Sequence, residues 1–349
     1  MNNLSTNNIN YLVCVRCSTF NHAPYIVDTM EGFCMQQTKF PYVCTIIDDA
    51  STDGEQEVIR NYLQKHFDLE DKSFVRNEET DDYSYTLARH RTNHNCYFAI
   101  YFLKYNHYII RKIKDPYIKE WKLPIKYHAF CEGDDYWIDS KKLQKQVVFL
   151  DTHLEYGMVY TKVKSYDQSK KTFEDDWGRD FTIEELVTKN SPIPTLSVCF
   201  RRDIYNKFSQ ERLSYPHWQL GDVPTWLYFL KFSKIFFLKE VTGVYRILDE
   251  SASHSKNFEK RTSFINSAFN CRAYMAERYW SKSLAKKAIK AKINNLLYLS
   301  FEKNQQLKQN IKGDLLKYRI TDVKLYVLAF LSQSLWGRTI IHNHRFGNK

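Results

Sequence analysis

The sequence predicts an α/β protein, a sheet of parallel strands with covering helices followed by a helical C-terminal region. Three observations predict it. Short β-rich apolar runs at residues 11–17, 42–47 and 127–131 alternate with stretches whose apolar residues recur with a 3.6-residue period. Each run ends in a polar or acidic loop, the pattern of strands whose C-terminal ends line a ligand crevice. From about residue 260 the β-type runs give way to helical periodicity. The 349 residues are 43% hydrophobic and 16% aromatic, which supports a sizeable core and argues against disorder.

The elements come in order. The run Tyr11-Leu-Val-Cys-Val-Arg-Cys17 reads as a buried strand that opens into Ser18-Thr19-Phe20-Asn21-His22. A helix comes next with Ile26, Met30, Phe33 and Gln37 on one face and Pro24 in its first turn. The second strand, 42–47, runs into Asp48-Asp49-Ala-Ser-Thr-Asp53-Gly54, and the next helix carries Val58, Ile59, Tyr62, Leu63 and Phe67 on one face. Residues 80–126 are rich in Tyr, His, Lys and Arg, and 97–113 is expected to be helical. A strand at 127–131 ends in Glu132-Gly133-Asp134-Asp135-Tyr136-Trp137, and Asp139 and Ser140 are candidate caps for a helix bearing Leu143, Val147 and Leu150. Short strands are expected at 157–161 and 196–201, a Trp-containing helix at 222–232, and strands at 235–239 and 242–247.

Charge divides the chain. The net formal charge is +11, a value that by itself suggests a nucleic acid, an anionic membrane or a phosphorylated ligand. Residues 255–349 hold 19 Lys+Arg against 5 Asp+Glu, so residues 1–254 are mildly acidic. The expected division is a polar tail over 1–10, a domain over 11–254 and a basic helical region over 255–349. Residues 1–10 have no basic and apolar signal pattern, and no apolar run reaches the ~20 residues of a membrane span. The eight Cys are scattered in apolar runs and read as reduced core thiols. Cys14-x-x-Cys17 lies inside a strand with no second pair nearby, and His90-x-x-x-His94 has no acidic third ligand at matching spacing. The expected compartment is the cytoplasm.

The acidic positions Asp48/Asp49, Glu132/Asp134/Asp135 and Asp222 fall at strand ends or at a helix start. Each alone also reads as an Asx turn or helix cap. Clustered at the ends of one parallel sheet, such carboxylates repel unless a cation or hydrogen-bond donors neutralise them. Mg2+ or Mn2+, which prefer oxygen ligands, fit that need and keep positions open for a diphosphate. Neutralising the departing charge makes a nucleotide a good leaving group.

Five motifs in order resemble the family 2 glycosyltransferases of GT-A fold, in the bacterial branch that builds surface polysaccharides. They are Thr19-Phe20-Asn21, Asp48-Asp49-Ala-Ser-Thr-Asp-Gly, Glu132-Gly-Asp-Asp-Tyr-Trp, Gly221-Asp222-Val-Pro-Thr-Trp-Leu, and Val244-Tyr-Arg246 with Glu250-Ser-Ala-Ser-His254, spread over residues 11–254. The resemblance implies a Rossmann-like mixed sheet with helices on both faces. It implies inverting transfer of a sugar from a nucleotide-diphosphate sugar, a UDP-sugar first, to a glycan or lipid-linked acceptor. It places Thr19, Phe20, Asn21, Asp48 and Asp49 against base and ribose. Asp134 and Asp135, with Glu132 in the first position of the family's D-x-D motif, would meet metal and donor sugar. Asp222 matches the catalytic base, ionised at neutral pH with an ordinary pKa of ~3.9. Arg246 and His254 would reach the diphosphate or the metal after loop closure. Glu in place of the first Asp, Gly221 in place of the usual Glu, and the long basic 80–126 segment depart from the family pattern.

In the basic region Lys282, Lys286, Lys287, Lys290 and Lys292 crowd one stretch, and residues 323–336 are apolar. That combination fits an interfacial anchor through 260–340 on an anionic membrane, at the inner face of the plasma membrane; the other reading packs the apolar side on the domain and leaves the lysines solvated. Two other functions remain. A sugar-nucleotide nucleotidyltransferase would want a Gly- and Arg/Lys-rich phosphate loop after the first strand, which 18–24 lacks. A non-catalytic carbohydrate or nucleic-acid binder would use the basic region, although its aromatics adopt core periodicity.

Overall fold

The structure is a computed structural model describing residues 9–110, 112, 114, 116–249 and 255–346. In chain order its elements begin with β1 (Val13–Thr19), α1 (Ile26–Cys34), β2 (Tyr42–Asp48), α2 (Glu55–His66), β3 (Phe67–Asp68), β4 (Arg76–Glu79), β5 (Tyr83–His90) and β6 (Cys96–Leu103). They continue with β7 (Tyr127–Phe130), β8 (Tyr136–Trp137), α3 (Lys142–Thr152), β9 (Tyr156–Asp167), β10 (Thr172–Trp177), α4 (Ile183–Thr188), β11 (Cys199–Arg201), α5 (Arg202–Arg212), α6 (Asp222–Phe232) and β12 (Lys234–Ile247). Five helices complete the chain: α7 (Phe258–Tyr279), α8 (Lys282–Lys303), α9 (Ile311–Lys317), α10 (Val323–Gln333) and α11 (Leu335–Phe346).

Two compact units form. The first holds 9–179, 193–207 and 232–247 among the described residues. Its single sheet runs β3-β5-β6-β2-β1-β7-β11-β9-β12-β8, with β10 on β9 and β4 on β5. The strands β6, β2, β1 and β7 are mutually parallel, whereas β5 and β11 join antiparallel at either side. The chain moves from β1 through β2 to β6 on one side and places β7 on the other, so the strand order reverses at β1. That reversal opens a crevice at the C-terminal ends of β1, β2 and β7.

Both sheet faces are buried. One cluster joins Val13, Val15 and Cys17 of β1 to Ile26, Met30 and Phe33 of α1, Ile59 and Leu63 of α2, and Leu143, Val147 and Leu150 of α3. The other joins Cys14, Val43, Ile47, Ala99 and Tyr101 to Ile118 and Ile125, with Trp121 and Leu123 packed on it. Cys14 and Cys17 therefore face opposite sides of the sheet, and all eight cysteines are buried and free. Of the helix expected over 97–113, residues 97–103 are instead strand β6, every residue of which is buried, residues 104–110 form turns, and 111 and 113 lie outside the described residues. His90 ends β5 and His94 lies in the next turn, so the two do not share a helical face. Neither Asp139 nor Ser140 caps the helix: its N-cap is Lys141, which has no side-chain cap bond, and Asp139 Oδ1 accepts from Lys141 N at 2.8 Å. The strands expected at 235–239 and 242–247 are one strand, β12, with register shifts between Leu238 and Gly243.

The second unit holds 180–192, 208–231 and 248–346, apart from the residues outside the description. Segments 180–192 and 208–231 thus belong with the C-terminal helices, whereas sequence pattern alone groups them within 11–254. Helix starts are capped as their side chains allow: Asn257 accepts from Lys260 N, Ser281 from Leu284 N, Asn310 from Gly313 N and Asp322 from Leu325 N, at 2.9–3.3 Å. The basic stretch of α8 is largely spent inside the unit. Lys287 pairs with Glu184, Lys290 with Asp322 and Lys292 with Asp314, at 2.5–2.7 Å, and Lys286 Nζ donates to the Arg319 carbonyl at 2.6 Å. No described helix is long and apolar enough to cross a membrane.

Candidate nucleotide-sugar site

Parallel pairing of β1 with β2 brings Thr19 opposite Asp48 at the strand ends. Three loops then meet: 19–25 after β1, 48–54 after β2 and 131–136 after β7. Asn21, in the left-handed region (φ 58°), ties the first two: its backbone N–H donates to Ser51 Oγ at 2.9 Å and its Oδ1 accepts from Thr52 N at 2.8 Å. Asp53 accepts from Ala23 N at 2.9 Å.

Glu55, which no sequence motif marks, holds this junction from beneath. Its carboxylate accepts from the Thr19 hydroxyl, from His22 N at 2.8 Å and from Ser51 Oγ at 2.9 Å. Burial pushes its carboxyl up, and those hydrogen bonds oppose the shift. An acid in the first turn of a helix looks like an ordinary helix-start residue in sequence, so nothing singles it out there. Thr19 is consequently buried, with its side chain turned inward, while Phe20 beside it is 39% exposed at the crevice.

Gly133 lies on top of Thr19, and its N–H donates to the Ser18 carbonyl at 3.1 Å. Thr29 Oγ1 bridges the Gly133 and Asp135 carbonyls at 3.0 and 2.6 Å, fixing the turn to α1. The two aspartates next in the chain face different ways. Asp134 is half-buried, and its Oδ2 lies 3.8 Å from His22 Nε2. Asp135 is buried and accepts from Arg246 N at 2.9 Å; burial, then the neighbouring Asp134 and Glu132 charges, push its carboxyl well above the usual range. Glu132 is half-buried on the same turn.

Arg246 is structural in this arrangement. It is 6% exposed, donates to the Asp134 carbonyl at 2.6 Å, pairs with Asp28, and lies 4.3 Å from the Tyr136 ring centroid. Its guanidinium clamps the turn to α1 in this arrangement, whereas the motif resemblance implies for it a contact to the diphosphate or the metal after loop closure. Asp28 and Tyr136 enter the site through it.

Asp48 and Asp49 divide their work. Asp48 is buried; its Oδ1 accepts from Ser51 N at 3.1 Å and from Gln56 Nε2 at 2.6 Å, while its Oδ2 accepts no hydrogen bond from the described residues. Asp49 has partners on both oxygens: they accept from His107 N at 2.8 Å and Tyr108 N at 3.1 Å and pair with Lys114 at 2.9 Å. It anchors the segment after β6, a part different from the base or ribose contact that the motif resemblance implies for it. Neither His107 nor Lys114 has a signal in sequence beyond the basic composition of 80–126.

Among the described residues no group of three or more His, Cys, Asp or Glu side chains is arranged to hold a metal ion. A divalent ion bound by one or two carboxylates plus the oxygens of a diphosphate does not require such a group. Asp134, half-exposed on the turn, fits that arrangement with Glu132 beside it; Asp135, turned to the Arg246 backbone, does not join it. His254 lies outside the described residues.

Asp222 belongs to the second unit, where it opens α6 and is half-buried. Burial raises its carboxyl pKa, opposed by the Val223 N–H and by the charge of Arg272. Arg272 is itself buried in that unit and donates to the Leu186 carbonyl at 3.1 Å.

No family model matches the chain. Two uncharacterized proteins, Rv1520 of Mycobacterium tuberculosis and Mb1547 of Mycobacterium bovis, are each 30% identical to it over 188 residues, 53% of this chain and 45% of theirs. The match thus spans less than half the length of these relatives. Among solved structures, S. aureus TarS 1-349 in complex with UDP-GlcNAc is similar with a TM-score of 0.58 at 13% identity, over 96% of this chain and 92% of that one. Another crystal structure of S. aureus TarS 1-349 gives 0.57 at 14% identity, over 96% and 91%. At such identity the likeness is one of fold, and the fold of this chain is GT-A: a large mixed sheet with a parallel centre, its strand order reversing at β1, and a helical C-terminal part.

Proposed function

We propose that this chain is a glycosyltransferase that takes a nucleotide-diphosphate sugar at the crevice above β1, β2 and β7. The observation that carries the reading is the junction itself, where the loops that bear exposed Phe20, buried Asp48 and half-buried Asp134 meet at the strand reversal of a GT-A sheet. Phe20 offers a ring for the base to stack on. Asp48, whose enclosed Oδ2 accepts no hydrogen bond from the described residues, would meet base or ribose once the loop after β2 moves aside. Asp134 holds the divalent ion, Mg2+ or Mn2+, with Glu132 next to it. When bound, that ion neutralises charge on the departing diphosphate. A UDP-sugar is the first donor to try, because TarS of the same fold was solved with UDP-GlcNAc.

Asp222 acts as the base. Its carboxylate takes the proton of an acceptor hydroxyl while that oxygen bonds to the anomeric carbon, and the bond from that carbon to the diphosphate breaks on the opposite side. The configuration inverts. The raised pKa makes Asp222 a stronger base than an exposed aspartate. The acceptor is a glycan or lipid-linked chain of a surface polysaccharide, an assignment that rests on the motif resemblance. The loop after β1 disfavours nucleotidyl transfer: the N–H groups of Asn21, His22 and Ala23 are all bonded to Ser51, Glu55 and Asp53, leaving none to cradle phosphates.

Calorimetric titration with UDP-, GDP- and CMP-sugars, with and without Mn2+, tests the reading. One donor should bind in a metal-dependent way, and Asp134→Asn should weaken that binding by about tenfold or more. Asp222→Asn should bind the same donor normally and lose about 10²–10⁴ in turnover. Normal turnover by Asp222→Asn removes the base assignment, and failure of every donor to bind removes the proposed function.

A further inference from the structure

Helix α10 is apolar on two opposite sides. Its buried positions are Leu325, Ala329 and Ser332, whereas Val323, Val327 and Phe330 are 74%, 51% and 78% exposed. At about 100° per residue these two trios fall on opposite faces. The first face packs within the unit, where α10 lies against α8 and α9. In α11, Leu335, Trp336 and Ile340 are exposed as well.

These two helices form a fixed platform. A Cβ at Gly337 would stand 2.5 Å from the Leu331 carbonyl oxygen, so α11 starts in direct backbone contact with the end of α10. Arg338 Nη1 donates to the Ser332 carbonyl at 2.8 Å, and His342 Nδ1 lies 2.9 Å from the Phe301 carbonyl of α8. Six large apolar side chains are thus held outward by a rigid support. A helix apolar all round wants two apolar neighbours, and the unit supplies one.

Charge identifies the other. Lys312, Lys317, Arg319, Lys324 and Arg345 are exposed on α9 to α11 and their connections. The two acids between 304 and 346, Asp314 and Asp322, are each neutralised by a lysine of α8 at 2.7 Å. We propose that this face docks in the plane of an anionic lipid bilayer, with Phe330 and Trp336 in the interface and these cations among the headgroups. A second copy is the poorer occupant, because self-association through the face would bring like charges together. Helix α10 spans about 16 Å, short of the ~30 Å hydrocarbon core, so it lies on the membrane and does not cross it. The lysines at 282–292, which the sequence suggests as the anchor, are mostly paired inside the unit and take no leading part. The proposal is independent of the glycosyl-transfer reading.

Co-sedimentation of the full chain with vesicles tests it, using phosphatidylcholine alone and phosphatidylcholine with about one-third phosphatidylglycerol, a composition in the anionic range such docking needs. The wild type should sediment with the anionic vesicles and much less with the neutral ones. The triple variant Val327→Ser/Phe330→Ser/Trp336→Ser should lose about tenfold or more in partitioning, and Lys317→Glu/Lys324→Glu should weaken it independently. All five side chains are exposed, so both variants should melt as the wild type does. Equal sedimentation of wild type and triple variant would overturn the proposal. So would self-association, or binding of a labelled oligonucleotide, that the triple variant abolishes while vesicle binding is absent.

Discussion

A Cβ on residue 133 would stand 2.1 Å from Thr19 Oγ1 and 2.5 Å from Thr19 Cβ. The backbone of the 131–136 turn therefore rests directly on the side chain that ends β1. Thr19 cannot yield easily, because its hydroxyl donates a hydrogen bond to Glu55 and His22 Nδ1 lies 3.1 Å from the same oxygen. Gly133→Ala should cost about 1–3 kcal/mol of overpacking and shift the urea midpoint down. It should also weaken donor binding, since Asp134 is the next residue. An unchanged midpoint would mean that the turn lifts off Thr19 without cost. The same contact shows what was legible at this scale. Residue types at strand ends pointed to loops that meet one another: Thr19, Asn21, Asp48, Asp49, Asp134, Asp135 and Arg246 all lie in the first unit. Which of them face the crevice was not legible. Asp49 and Asp135 are consumed by His107 and Arg246, partners 58 and 111 residues away in the chain, and no local pattern encodes so distant a donor.

The stretch from β6 onward is the element on which sequence reasoning failed, and the cause is physical. Cys96-Tyr-Phe-Ala-Ile-Tyr-Phe-Leu103 lies between β2 and β5 and is buried along its whole length. A strand buried on both faces shows no alternation, so an apolar run of this kind cannot be told from a helix by period. Edge-ward strands β4 and β5 were obscured by their charged and aromatic content for a related reason: Arg89 covers the Phe74 ring at 3.8 Å, and Lys119 reaches Glu78, so cations there pack as part of the sheet's cover. The segment beyond β6 is held by Asp82, which pairs with Lys112 at 2.9 Å, and by Asp49, which accepts from His107 N and Tyr108 N and meets Lys114. Asp49→Asn replaces one acceptor oxygen by a donor and removes the charge. Amide hydrogen exchange at His107 and Tyr108 should then speed up by about 10–100-fold, the equivalent of one lost charge-assisted bond. Exchange at wild-type rates would show that other contacts hold this segment.

At the scale of the whole chain, the charge split was legible and its meaning was not. The excess of 19 basic over 5 acidic residues in 255–349 is real, but much of what lies on α8 is absorbed by Glu184, Asp314 and Asp322. The same pairings show that the second unit is assembled from separated stretches of chain. Helix α4 packs on α7 and α8; Arg272 holds the Leu186 carbonyl; Glu211 accepts from Arg278 and Tyr279; and the Tyr274 ring sits 5.5 Å from both Tyr215 and Trp218. A chain cut after residue 254 would keep 180–192 and 208–231 yet lose these partners. Leu186, Val187, Trp218, Trp226 and Phe229 are among the side chains buried there. Each fully buried one is worth about 1.5–3 kcal/mol, against a net stability of about 5–15 kcal/mol for a whole domain. Residues 1–254 expressed alone should therefore aggregate or melt without a cooperative transition, as monitored by size-exclusion chromatography and thermal denaturation. A monodisperse 1–254 with a melting curve like that of the full chain would show that the sheet-bearing part is self-sufficient. The C-terminal helices would then be an addition to the fold and not part of its second core.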